Sequence, residues 1–125
     1  METIAIVLSV GNDHVNAFEQ GFRDQELPIW RDFRERGVLT SASLSRMDIS
    51  SRGVKGATQY LIVVVFATGE GHHLHDNDPR FEEWNRKADA YQVAAALAFG
   101  GETVIHEGVV PESSGSPARE PGGAS

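Results

Sequence analysis

Three of the chain's five histidines lie within four positions, at His72, His73 and His75. They follow the most apolar stretch, 60–67, and precede a clear helix start at Asp78-Pro79. In an α/β protein the loop between a strand and a helix is held by a rigid element on each side, and binding and catalytic groups concentrate on such loops. The sequence therefore predicts the position of a functional site before it predicts a reaction.

The histidines are candidates for acid/base catalysis, because an imidazole changes its charge near neutral pH. The neighbouring carboxylates Asp76 and Asp78 favour the charged form, whereas crowding of the imidazoles and a nearby helix N-terminus favour the neutral form. A further histidine is expected in the last strand, on the same face as Val104. The candidate catalytic residues are His72, His73, His75 and His106.

The same cluster has a spacing that metal sites use. His73 and His75 are two residues apart and would share one side of a continuing strand. The side chains that could complete such a site are Asp76, Asp78, His106 and His14. The stretch 69–71, Gly-Glu-Gly, indicates instead that the strand has already ended, and an exposed polar loop explains the histidines equally well. We therefore predict no metal site.

Aromatic and cationic side chains elsewhere could line a flat pocket for a small aromatic molecule. Arg46 could clamp a carboxylate or a phenolate there, or it could be a strand residue whose charged end reaches solvent. Core packing is the alternative interpretation for the aromatic residues, and it is the stronger one for Trp84. The candidate substrate-binding residues are His14, Trp30, Phe33, Arg46, Tyr60, Trp84 and Tyr91.

The composition is that of one acidic globular domain. A chain of 125 residues, of which 40% are hydrophobic and 23% charged, can bury one core but not two. A net charge of -7 would repel a phosphate backbone, so nucleic-acid binding is disfavoured. The longest apolar run, 60–67, is too short to cross a bilayer, and without a signal-peptide pattern we expect a cytoplasmic protein.

Several standard chemistries lose their usual support. The chain has no cysteine, so thiol catalysis and disulfides are excluded. It carries no phosphate loop, no dinucleotide-binding glycine motif, no serine-hydrolase elbow and no HExxH zinc motif. We therefore expect no organic cofactor.

Alternating apolar residues predict four strands, at 3–10, 38–48, 59–68 and 102–110. In the second of these, Ala42 and Leu44 are expected on one face and Leu39 on the other. The pair Gly100-Gly101 is expected to break the chain before the last strand begins.

Two helices are expected between the strands. The first begins at Asn12 or Asp13, is interrupted by Leu27-Pro28, and ends at Gly37. The second begins at Asp78-Pro79 and has an apolar stripe formed by Phe81, Trp84, Ala88 and Tyr91. The tail 111–125 offers no side chain for a core and is expected to be disordered, which leaves one domain at 1–110.

The element order β-α-β-β-α-β predicts an α+β, ferredoxin-like fold with a four-stranded antiparallel sheet. Two helices can cover only one face of that sheet. The third strand is apolar on both faces, since Leu61, Val63 and Val65 alternate with Tyr60, Ile62, Val64 and Phe66. We therefore expect a homodimer in which two sheets pack together.

With this arrangement the chain resembles the dimeric α/β-barrel superfamily, in which two ferredoxin-like subunits pack sheet against sheet. The resemblance covers about 1–110 and rests on the element order, the doubly apolar strand and the segment 75–84 that leads into the second helix. It implies a site in a cleft between sheet and helices. The superfamily includes cofactor-free monooxygenases and cyclases acting on aromatic polyketides, haem-degrading enzymes, isomerases and small stress proteins.

The resemblance and the histidines together predict a small enzyme of secondary metabolism that uses no organic cofactor. Its substrate would be an aromatic or polyketide-like metabolite, converted by histidine acid/base chemistry through cyclisation, isomerisation or monooxygenation. The alternative is a non-catalytic dimer that binds small molecules or acts in a stress response. Metal- or haem-dependent oxidation is a third hypothesis.

Overall fold

The computed structural model describes residues 1–108, which form one four-stranded antiparallel sheet with helices on one face. The strands are β1 (Glu2–Gly11), β2 (Leu39–Arg46), β3 (Ala57–Phe66) and β4 (Leu97–Glu102). Their order across the sheet is β2-β3-β1-β4, so the predicted ferredoxin-like fold is confirmed. The predicted tail, 111–125, lies outside the described residues, as do the last two residues of the predicted domain.

Two helical regions connect the strands. The first comprises a 3-10 turn (Asn12–His14), α1 (Val15–Gly21), a π-helical turn (Phe22–Glu26) and α2 (Leu27–Glu35). The second comprises α3 (Gly71–Asp76) and α4 (Pro79–Asp89). Within 1–108, none of these helices combines the length and the apolar character that a membrane crossing requires.

The first helical region runs on through Leu27-Pro28, where an interruption was predicted. The Leu27 N–H bonds to the carbonyl of Phe22, five residues back, which makes the preceding turn wider than an α-helical turn. Pro28 then lies in the first turn of α2, where an amide donor is not needed for the helix. The π-helical turn thus accommodates the proline and carries the chain on in the same direction.

The core lies between the sheet and the helices. Phe18 and Tyr60 are fully buried, with ring centroids 4.8 Å apart. Trp84 of α4 packs over Phe18 and Phe22 at 6.1 and 6.0 Å. Gly21 makes this close approach of helices possible, because a Cβ there would lie 2.5 Å from the Trp84 ring.

The second strand places its side chains differently from the prediction. A register shift between Leu39 and Ser41 adds one residue to β2, so Leu39 pairs with Phe66 and is buried under the helices. It therefore shares a face with Ala42 and Leu44, whereas the sequence placed it on the opposite face. A β-bulge of this kind reverses the alternation at one point and cannot be read from a period of two.

The last strand also lies earlier than predicted, at Leu97–Glu102 and not at 102–110. Gly100 pairs with Ile4, and a Cβ on Gly100 would lie 2.6 Å from the Ile4 side chain. The glycine therefore permits close packing within the sheet, where the sequence suggested a break. Residues 103–108 form no strand, and His106 lies there in an exposed position.

The middle of the sheet is apolar on the face away from the helices, and none of the helices within 1–108 covers that face. Ala5 and Val63 pair across the two central strands on this face, and Phe99 of β4 lies opposite Ala5 with 63% of its surface exposed. Leu61 extends the same surface along β3, whereas Val65 farther along the strand is buried. We call this surface, formed by Ala5, Leu61, Val63 and Phe99, the open sheet face.

We expect Trp84→Ala to lower the free energy of unfolding by about 3–5 kcal/mol, because it leaves a void against Phe18 and Phe22. Glu82→Ala, at an exposed position of the same helix, should change it by less than about 0.5 kcal/mol. Chemical denaturation monitored by circular dichroism measures both. A Trp84→Ala protein as stable as Glu82→Ala would show that this contact does not hold α4 to the core.

Candidate functional site

A cavity of about 680 Å³ lies between the helices and the covered face of the sheet. Its floor is apolar and includes Ile4, Ile6, Ile62 and Val64 of the two central strands. This volume lies within the range of small-molecule sites, which are mostly apolar with a few placed polar groups. We call it the larger cavity.

A buried pair of ionisable side chains forms part of its wall. The Nε2 atom of His75 lies 2.6 Å from Oε2 of Glu26, and its Nδ1 lies 3.1 Å from Oδ1 of Asp76. His75 is 8% exposed and Glu26 only 4% exposed. The two residues are 49 positions apart in the chain, so the fold alone brings them together.

The π-helical turn determines where Glu26 points. Glu26 is the last residue of that turn and lies four residues from both Phe22 and Trp30, which line the same cavity. Residues four apart share one face of a helix. Glu26 is therefore a charged residue in an apolar stripe, and π-helical turns of this kind often occur at functional sites.

The His75 ring is held by aromatic neighbours as well as by its two carboxylates. Its centroid lies 4.2 Å from that of Phe81, 6.0 Å from Phe33 and 6.4 Å from Phe66. α3 carries the ring into this group because Gly71 packs directly on Phe66. Packing on several sides fixes the imidazole in one orientation, as an acid/base group requires.

Burial lowers the pKa of His75, but hydrogen bonds and negative charge from Glu26 and Asp76 outweigh it and raise the pKa above its ordinary value. The second carboxylate oxygen of Glu26, Oε1, is buried and has no hydrogen-bond partner among the described residues. An unpaired buried carboxylate oxygen is costly, and a catalytic role is one reason for a protein to keep such an atom. The pair thus has a spare acceptor beside a histidine that holds a proton.

The rim of the cavity carries a second carboxylate–imidazole pair. The Nδ1 atom of His72 lies 2.7 Å from Oε1 of Glu2, and both residues line the cavity. His73 stacks on His72 at 3.9 Å but is exposed and does not line the cavity. The helical spacing explains this difference, because His72 and His75 are three residues apart and share one face of α3. The histidines had been expected on a loop.

The other predicted site residues are spread over several parts of the structure. Trp30 and Trp84 line the larger cavity, whereas Phe33 lies behind its wall in contact with His75. His14 and Tyr91 stack on each other at 5.3 Å and line neither cavity. Arg46 and Tyr60 line a second cavity of about 310 Å³, and His106 is exposed beyond the sheet.

Sequence reasoning missed Glu26 and Glu2. A signal for Glu26 was present, since Phe22, Glu26 and Trp30 have the four-residue spacing of one buried helix face. A carboxylate at such a position requires a partner, and His75 provides one. No comparable pattern marked Glu2, which begins a strand.

Within the part of the chain that the structure describes, no three His, Cys, Asp or Glu side chains are grouped as a metal ion would require. Both ring nitrogens of His75 already contact carboxylates. Its lone pairs and protons are therefore engaged in hydrogen bonds. The arrangement suits proton transfer better than metal ligation.

No protein-family model and no curated protein matches this sequence. Solved structures match the fold. HapK from Hahella chejuensis superposes with a TM-score of 0.67 at 12% identity, covering 89% of this chain and 100% of that chain. SnoaB from Streptomyces nogalater, described as a cofactor-independent oxygenase and solved as a mutant, gives 0.59 at 11%, covering 84% and 95%.

An antibiotic biosynthesis monooxygenase gives a TM-score of 0.63 at 10% identity, covering 84% of this chain and 100% of that chain. At such identities the likeness shows a shared fold. The chain thus has the ferredoxin-like fold of antibiotic biosynthesis monooxygenase-like proteins, in agreement with the superfamily resemblance of its sequence.

The raised pKa of His75 predicts a pH-dependent contribution to stability. A histidine whose pKa is raised by folding stabilises the protein below its ordinary pKa, and this stabilisation is lost as the pH rises through the raised value. We expect the stability difference between the wild type and His75→Gln to be larger at about pH 6 than at about pH 9. Urea denaturation at both values measures it, with the exposed His106→Gln as a control. A difference independent of pH would contradict the assigned shift.

Proposed function

We propose that this protein is a small monooxygenase-type enzyme that needs no organic cofactor and acts on an aromatic, polyketide-like metabolite. The buried Glu26–His75 pair in the wall of a mostly apolar cavity carries this proposal. The apolar floor suits the fused rings of such a substrate. The pair could remove an acidic proton from it, which is the one step that this substrate needs from the protein.

Glu26 and His75 would act as one unit. Oε1 of Glu26 is the acceptor without a partner, so it is the atom available to take a proton from the substrate. His75 stabilises the charged carboxylate by donating a hydrogen bond to Oε2. Asp76 holds the other side of the imidazole and keeps the ring oriented. Such general-base catalysis contributes typically about 10²–10⁴-fold.

The reaction that fits these groups starts at an acidic CH₂ between aromatic rings. Removal of one proton leaves an electron-rich carbanion, which gives electrons to O₂ and forms a carbon–oxygen bond. Loss of water from the resulting hydroperoxide yields a ketone, so that CH₂ and O₂ become C=O and H₂O. Molecular oxygen is the oxidant and no further reductant is needed.

Cyclisation or isomerisation begins with the same proton removal and returns the proton elsewhere on the substrate. The similarity in fold to SnoaB and to an antibiotic biosynthesis monooxygenase favours the oxygenation branch. The Glu2–His72 pair at the rim is the second acid/base group that an isomerisation would use. Trp30 and Trp84 would hold the rings of the substrate in either case.

We expect Glu26→Gln and His75→Gln each to lower turnover by about 10²-fold or more, because each removes one member of the proton-accepting pair. His73→Gln, which lies off the cavity, should retain wild-type turnover. Dithranol, a hydroxylated anthrone, is a suitable probe. Oxygen uptake above the spontaneous rate measures oxygenation, and deuterium exchange at its CH₂ under nitrogen measures proton removal alone.

The two measurements separate the hypotheses. Exchange without oxygen uptake would favour cyclisation or isomerisation at the same site. If the wild type binds dithranol but shows neither activity, or if Glu26→Gln is fully active, the acid/base proposal fails. A non-catalytic binding protein would then be the better interpretation.

The proposed enzyme is a homodimer built on the open sheet face. The apolar area of this face in the described residues and the position of Val63 at its centre support that assembly. Val63→Asp would place a charge in the interface and should abolish the dimer, since an unpaired buried charge costs several kcal/mol. Leu74→Asp adds the same charge on the helix side, where Leu74 is 49% exposed, and should leave the dimer intact.

Light scattering at micromolar concentration measures the oligomeric state of the wild type and of both variants. A monomeric wild type would contradict the assembly directly. A dimer that survives Val63→Asp unchanged would show that the subunits associate through another surface.

A further inference from the structure

The smaller cavity, of about 310 Å³, carries positive charge in a chain whose net charge is -7. It opens between the β2–β3 edge of the sheet and the first helical region. Arg23 and Arg46 line it together with a single carboxylate, Glu19. The wall therefore has an excess of one positive charge, opposite in sign to the molecule as a whole.

One oxygen of the Glu19 carboxylate is engaged by neighbouring side chains. Its Oε2 accepts hydrogen bonds from Nε of Arg46 at 3.0 Å, from Nη2 of the same residue, and from the Tyr60 hydroxyl at 2.6 Å. These bonds keep the pKa of Glu19 below its ordinary value. Burial raises the pKa of Tyr60 to about 12, so its hydroxyl keeps its proton. Arg46 thus balances Glu19.

Two side chains that line this cavity have donors without a protein partner. Within 1–108 the guanidinium of Arg23, an exposed residue, takes part in no hydrogen bond or ion pair, and Nε1 of Trp30 is buried with no acceptor. Trp30 as a whole is 93% buried, since only 7% of its surface is exposed. The remaining lining is apolar and comprises Phe22, Leu27 and Leu44.

We infer that the smaller cavity binds the carboxylate group of a small apolar acid, at a site separate from the larger cavity. Guanidinium groups match carboxylates in geometry, and the apolar wall would hold the body of the acid. A single excess positive charge suits a monoanion better than a phosphate dianion. The volume, at the lower end of known ligand sites, suits a molecule of the size of benzoate.

The two cavities are divided by an aromatic wall. Phe22 and Trp30 line both of them, and their rings meet edge to face with centroids 5.1 Å apart. Trp84 lines only the larger cavity. A ligand in the smaller cavity is therefore expected to affect Trp30 but not Trp84, whereas a ligand in the larger cavity can affect both.

The test is a titration with sodium benzoate followed by NMR of the indole and guanidinium N–H groups. We expect the signals of Trp30 and Arg46 to shift with saturation while that of Trp84 stays unchanged. Benzyl alcohol, which has the same ring without the charge, and sodium chloride at equal ionic strength should not reproduce the shifts. The readout is binding, so it is independent of any turnover at Glu26 and His75.

Arg23→Gln should weaken benzoate binding about tenfold, the loss expected for one charge-assisted hydrogen bond. Arg34→Gln, at an exposed position of α2 that lines neither cavity, should bind benzoate as the wild type does. Equal shifts with benzyl alcohol or sodium chloride would overturn the inference. So would tighter binding of inorganic phosphate, or shifts confined to Trp84, which would place the acid in the larger cavity.

Discussion

The hydrogen bond between Glu26 and His75 is the interaction on which this site depends. It joins a π-helical turn to a short helix on the other side of the core, and it does so with both side chains almost fully buried. Removing one partner of such a pair typically costs about 3–5 kcal/mol, because the other is left charged and unpaired. The fold therefore tolerates a carboxylate here only because α3 delivers an imidazole, and in the proposed function the same pair would take part in proton transfer.

The sheet and the aromatic side chains form two cavities in the neighbourhood of that pair. The covered face of the sheet supplies an apolar floor, and the aromatic rings of Phe22 and Trp30 divide the interior into a larger cavity with the acid/base pair and a smaller one with excess positive charge. Of the residues of the open sheet face, only Phe99 of the edge strand β4 also lines one of these cavities, the larger one. The proposed chemistry and the proposed assembly thus use opposite faces of one sheet in a chain of 125 residues.

Local chemistry in the sequence predicted the fold well. Asp78 does cap α4, accepting from the Arg80 N–H, and the doubly apolar third strand does lie at the centre of the sheet. The elements that the sequence misplaced depend on contacts between distant residues. Gly100 lies inside β4, where a break was predicted, and the Ile4 side chain fills the space that a side chain at position 100 would need. Glu26 escaped notice for the same reason, because its partner lies 49 residues away.

The most direct measurement is the titration of His75 by nitrogen NMR of its imidazole ring, in the wild type and in Glu26→Gln. If the buried carboxylate holds the proton on the ring, the wild-type titration midpoint lies above that of an ordinary histidine, and Glu26→Gln lowers it. Asp76→Asn, which alters the exposed partner of the same ring, should lower it less. A midpoint unchanged by Glu26→Gln would contradict the account, because the pair would then share no proton.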